Sequence, residues 1–156
     1  MRTLLAEDLV WHGPGWEDGC RGTCRCFNVG VTVNPGEYDA RRQFVETDSG
    51  VVSYVDAGAG RTALFIHGVG TSGYLWRNVV AALEGERRCI TMDLPLHGRT
   101  PARADPDYSL TQLAKVVEDF CAALDLTGVD LVANNTGGGI AQIVALIHLN
   151  VSRRWR

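Results

Sequence analysis

The sequence predicts an α/β fold, a three-layer sandwich in which an antiparallel hairpin leads into parallel strands covered by helices. Three observations predict it. Residues 44–47 and 51–55 are strand-like runs on either side of Asp48-Ser49-Gly50, the spacing of two strands joined by a short loop. Downstream, short apolar runs alternate with segments of helical periodicity, the pattern of parallel strands joined by crossover helices. The last run ends in Asn134-Asn135-Thr136-Gly137-Gly138-Gly139, whose glycines let a strand turn sharply into a helix.

Each element has its own local reason. Residues 1–42 are rich in Gly, Trp, Cys and Pro without sustained periodicity and read as an irregular or poorly ordered extension, so the domain is expected to span residues 43–149. After the hairpin, residues 62–66 form a buried strand, 74–83 a helix and 88–92 another strand, together a βαβ unit. Ser109 can cap a helix running to about Leu124, with Leu113, Val116, Val117, Phe120 and Leu124 at helical spacing. Residues 129–133 supply a fifth strand, left at an edge. Ile140, Ile143, Val144 and Ile147 then share one face of the final helix, and residues 150–156 read as a basic tail.

Composition narrows the function classes. With 46% hydrophobic residues and a net charge of −3 over 156 residues, the chain can bury one core and has no electrostatic bias toward nucleic acid or acidic lipid. Apolar runs fall short of a membrane span, and Glu7 and Asp8 interrupt the N-terminus before a signal-peptide core can develop, so the expected location is cytoplasmic. Five cysteines are an odd number, with Cys89 and Cys121 inside apolar stretches, which argues against a disulfide scaffold. Cys20, Cys24 and Cys26 with His12 are unevenly spaced and lack a second CxxC pair, so they read as free thiols and no metal or other cofactor is expected.

Two readings compete for the glycine-rich turns. Gly68-Val69-Gly70-Thr71-Ser72-Gly73 is a GxGxxG between strand and helix, and Asp93 ends the next strand about 20 residues on, as a dinucleotide fold requires. The preceding antiparallel hairpin, the polar His67 at the turn and a second glycine turn after the fifth strand are not features that fold calls for. Singly, His67 and His97 could do no more than satisfy loop carbonyls.

Taken in order, three segments fit a different family. Phe65-Ile66-His67-Gly68, the loop Asp93-Leu94-Pro95-Leu96-His97-Gly98-Arg99-Thr100 and the turn Ala133-Asn134-Asn135-Thr136-Gly137 resemble the α/β-hydrolase family, with particular similarity to its haloalkane-dehalogenase-like and epoxide-hydrolase-like members. The loop is similar to D-x-P-G-x-G-x-S, with Leu96 where that pattern has its first glycine. The resemblance implies that His67 and Gly68 form an HG turn, that the backbone N–H groups of Val69 and Thr136 form an oxyanion hole, and that Asn135 sits at the nucleophile position. The surroundings resemble the version of the elbow with Asp at the apex. A neutral amide is a poor nucleophile, whereas Asn suits a tight turn because it tolerates positive φ. Shifting the register by one would make Thr136 the nucleophile, with the small residues then misplaced.

The family order also places an acid and then a histidine after the nucleophile. Residues 136–156 hold one histidine, His148, which the helical reading puts about 20 Å from the helix start at 1.5 Å per residue. The expectation is therefore the N-terminal half of a hydrolase, truncated or shifted in frame after the elbow helix and inactive alone, whose full-length relatives hydrolyse small organic esters, epoxides or haloalkanes. The alternatives are a non-catalytic partner-binding fragment, self-associating through the strand edge, and an NAD(P)-binding Rossmann-like fragment. Small molecules, not nucleic acid or membrane, are the expected ligands.

Overall fold

The computed structural model describes residues 33–103 and 107–153. The His12, Cys20, Cys24 and Cys26 group and the last three residues of the basic tail lie outside them. Within the region expected to be irregular, Pro35–Ala40 is a short helix, α1. Its start signal is local: Asn34 accepts the Glu37 N–H and the Glu37 carboxylate accepts the Asn34 N–H, a capping box with Pro35 in the first turn. Six residues are too few to display periodicity, so the sequence pattern does not reveal this helix. Burial of Tyr38, whose hydroxyl sits 2.6 Å from Thr91 Oγ1, ties α1 to the domain.

The hairpin pairs β1 (Arg42–Thr47) with β2 (Gly50–Ala57), Thr47 opposite Gly50 across an Asp48-Ser49 loop. Then come β3 (Thr62–Ile66), a 3₁₀ turn (Gly73–Trp76), α2 (Arg77–Leu83) and β4 (Arg88–Met92). The helix expected over 74–83 is thus split, its first turn being the tighter 3₁₀ kind that often opens helices. α3 (Leu110–Ala123) starts at the expected cap, Ser109, and leads to β5 (Asp130–Ala133) and α4 (Thr136–Arg153).

Sheet order is β1-β2-β4-β3-β5. β2 runs antiparallel to β4, while β3 lies parallel to both β4 and β5. Alternate side chains of the central strands face opposite layers. Leu64, Ile66, Ile90 and Met92 pack against Val116, Val117 and Phe120 of α3 and Ile140 and Val144 of α4. On the other face, Ala63, Phe65 and Cys89 meet Val80 of α2 and Trp76. Helices on both faces of the sheet make the three layers.

The stripe expected on α4 is only partly used. Ile140 and Val144 are buried, but Ile147 is 36% exposed. An 18-residue helix is about 27 Å long and a four-residue strand about 13 Å, so α4 outruns the strand it follows. α4 also continues through Arg153, into the segment expected to be a tail.

Candidate functional site

The C-terminal ends of β3, β4 and β5 bring three turns together. At the end of β5, the Asn134 N–H donates to Ile66 O at 3.1 Å, Asn135 takes φ +53°, and Thr136 opens α4. A left-handed conformation costs a non-glycine residue roughly 1 kcal/mol, and Asn tolerates it best. Asn135 alone in this turn carries the strained dihedral, so it stands at the apex of the turn, with Thr136 next to it at the start of α4.

Close backbone approach holds the apex in place. A Cβ on Gly137 would stand 2.6 Å from both His67 O and Ile66 O, and one on Gly68 would stand 2.6 Å from Asn135 Cβ. The two turns press on each other at distances that only glycine permits. At the apex, Asn135 Oδ1 accepts the Thr136 N–H at 2.7 Å and the Thr136 hydroxyl at 2.8 Å. No hydrogen bond reaches Asn135 Nδ2 among the described residues.

In the turn after β3, His67 is fully buried. Its Nε2 accepts the Leu94 N–H at 2.9 Å, so the proton sits on Nδ1 and is donated to Gly68 O at 2.8 Å. Burial chiefly holds its pKa below the ordinary histidine value, keeping the ring neutral. The Thr71 hydroxyl donates to the same Gly68 carbonyl at 3.0 Å. Val69 is 71% exposed, and no described residue accepts its N–H.

Sequence reasoning did not assign the support beneath this turn. Asp93 is 1% exposed and accepts from Arg42 Nη1 (2.5 Å), the Gly73 N–H (2.8 Å) and the Arg99 N–H (3.0 Å). Its carboxylate is buried and spent on protein donors, so it is not open to a ribose as the dinucleotide reading requires. A Cβ on Gly98, at φ +55°, would lie 2.1 Å from Asp93 Oδ2, so the glycine of this loop serves the buried carboxylate. Thr100 joins the same knot, donating to Asp93 O and accepting the Ser53 N–H. Leu96, in the family's glycine position, takes φ +67°. The signals that could have found this support were Gly98 and Thr100, which follow a strand-end carboxylate in the same loop.

Asn135, Thr136, His67, Gly68 and Val69 are therefore neighbours, whereas His148 lies far along α4. Clefts of about 420 and 490 Å³ lie elsewhere, one between the hairpin loop and residues 100–103, the other between α1 and α2. None of those five residues lines either cleft. Among the described residues, no group of three or more His, Cys, Asp or Glu side chains could hold a metal. No helix among them is long and apolar enough to cross a membrane.

A family model described as alpha/beta hydrolase fold matches residues 63–153, from β3 through α4. Over 102 residues the chain is 39% identical to a haloalkane dehalogenase of Mesorhizobium japonicum, a match covering 65% of this chain and 32% of that protein. Over 110 residues it is 32% identical to the 2-hydroxy-6-oxo-6-(2'-aminophenyl)hexa-2,4-dienoic acid hydrolase of Metapseudomonas resinovorans, covering 68% of this chain and 38% of the relative. Among solved structures, an epoxide hydrolase from Vigna radiata superposes with a TM-score of 0.65 at 26% identity, covering 69% of this chain and 35% of its own. The chain thus spans about a third of the length of these curated relatives.

Proposed function

This chain belongs to the α/β-hydrolase fold family, and we propose that it carries an elbow built for a carboxylate nucleophile, with an amide now at the attacking position. One observation carries the reading: the Thr136 N–H and hydroxyl both converge on Asn135 Oδ1. In a serine-type elbow the N–H after the nucleophile must stay open for the substrate's carbonyl oxygen. In carboxylate attack, one oxygen is held while the other forms a bond to carbon, and the held oxygen becomes the oxyanion when water later attacks the ester. A donor already bonded to the side chain of residue 135 suits the second case. Val69 N–H is the partner donor.

With Asn135 in place, the free side-chain atom is an amide nitrogen whose lone pair is delocalised, so the covalent step does not proceed. Full-length relatives of this elbow type would act on small organic esters, epoxides or haloalkanes, and the likeness to a haloalkane dehalogenase and an epoxide hydrolase supports that substrate class. The test is alkylation of Asn135→Asp by 1-bromobutane: a carboxylate oxygen bonds to carbon, the C–Br bond breaks and bromide leaves. Peptide mass spectrometry should find a butyl ester at residue 135 in the variant and none in the wild-type chain. An unmodified variant would reject the carboxylate-elbow reading.

A second reading rests on β5, which pairs with β3 on one side only among the described residues. Such an edge can recruit a further strand from another chain. A defined complex that survives Asn135→Ala would favour it, and a monomer at all concentrations would reject it.

A further inference from the structure

The turns after β3 and β4 exchange hydrogen bonds through their histidines. His67, in the first, accepts the Leu94 N–H of the second at 2.9 Å on Nε2. His97, in the second, accepts the Gly70 N–H of the first at 3.3 Å, also on Nε2. Each ring then gives its Nδ1–H to a carbonyl of its own turn, Gly68 O at 2.8 Å and Pro95 O at 2.9 Å. The ring centroids are 5.1 Å apart. A ring that accepts on Nε2 and donates from Nδ1 is neutral, so both histidines share one tautomer.

This arrangement includes the peptide between Gly68 and Val69. Gly68 C=O and Val69 N–H are the two ends of one planar trans peptide and point in opposite directions. The carbonyl is held by His67 Nδ1–H and the Thr71 hydroxyl, on the residue that packs against Asn135. We propose that His67 and His97 form a reciprocal clasp that aims the Val69 N–H at residue 135, as positioning residues and not as proton carriers. The inference rests on Val69 being an oxyanion donor, as in the carboxylate-elbow reading.

Protonating the His67 ring converts its Nε2 acceptor into a donor facing the Leu94 N–H, so this half of the clasp opens in acid. The charged or titratable groups facing His67 are His97, which opposes its protonation as burial does, and Asp93, which favours it. Burial dominates, so the His67 ring stays neutral and keeps the Leu94 N–H at neutral pH.

Nitrogen-15 NMR of the labelled full chain tests this directly. Both rings should appear as neutral Nδ1–H tautomers, and acidification should move the Val69 amide together with the His67 ring signals. His97→Leu should shift the Val69 and Gly70 amides, whereas His97→Gln, whose side-chain oxygen can accept the Gly70 N–H, should leave Val69 near its wild-type position. Either ring in the Nε2–H tautomer, or a Val69 amide that stays fixed in a folded His97→Leu chain, would overturn the clasp. If His97→Leu does not fold, the wild-type tautomers and the joint titration decide. The measurement is made with Asn135 in place, so failed alkylation of Asn135→Asp leaves it intact, and a failed clasp leaves the alkylation result intact.

Discussion

Gly68 and Asn135 meet across the space that a side chain on residue 68 would fill, an added Cβ standing 2.6 Å from Asn135 Cβ. The contact joins the turn after β3 to the apex after β5 with no room for relaxation, since Asn134 O lies only 3.0 Å from the same point. Gly68→Ala should therefore cost about 2 kcal/mol, the scale of overpacking in a tight site. Gly137→Ala, which meets two carbonyl oxygens at 2.6 Å, should cost at least as much. Gly138 has nothing within 4 Å of an added Cβ and lies in α4, so Gly138→Ala should stabilise by about 0.5–1 kcal/mol. Urea denaturation midpoints of the three variants give the comparison.

Leu96 is 59% exposed at φ +67°, so it bears left-handed strain with little buried area in return. Replacing it with glycine removes about 1–2 kcal/mol of steric cost, part of which is offset by the freer unfolded chain. A net gain of about 0.5 kcal/mol is expected for Leu96→Gly, read as a raised urea midpoint with an unchanged slope.

Asp93 gathers Arg42 and two backbone N–H groups within a buried site. Removing one partner of a buried pair leaves the other uncompensated and typically costs about 3–5 kcal/mol. Asp93→Ala should lose about 3 kcal/mol or fail to fold, as thermal and urea unfolding would show. The same geometry predicts that NAD or NADP leaves the melting temperature of the wild-type chain unchanged at millimolar concentration, because a ligand that does not bind cannot stabilise.

His67 links stability to pH. Its folded pKa lies below the ordinary value of 6.5, so the unfolded chain binds the proton more readily. Its contribution is fully present above about pH 6.5, declines as pH falls below that value, and is gone once the folded pKa has been passed. Unfolding free energies measured from pH 7.5 to 5 should fall toward acid, with a shallower slope in His67→Gln. An unchanged slope in a folded variant would place the responsible group elsewhere.

Much of the scaffold was legible because its signals are local or periodic. The strands at 62–66 and 88–92 match residue for residue, as short apolar runs buried on both faces. Ser109 caps α3 as read, its side chain accepting the Gln112 N–H. At α1, one and a half turns carry no period, so only the Asn34–Glu37 box could have disclosed the helix. Around the elbow, the residue types were visible but their partners were not. His97 meets Gly70 and His67 meets Leu94, each across 27 residues, and a loop pattern does not contain such pairings. Arg42 and Asp93, 51 residues apart, were hidden for the same reason. Leu96 was noticed as a departure from a glycine pattern, while the backbone conformation it adopts followed only from the fold.

The shape of the turn after β5 is held by the Asn134 N–H, by Gly137 and by Gly68, all of them backbone contacts that do not depend on which side chain residue 135 carries. The shape of this turn and the chemistry of its side chain are consequently separable. An exchange of carboxylate for amide at residue 135 would alter what that side chain can do while leaving the socket around it in the same form, so the position can change its chemistry by one substitution without passing through an unfolded intermediate sequence.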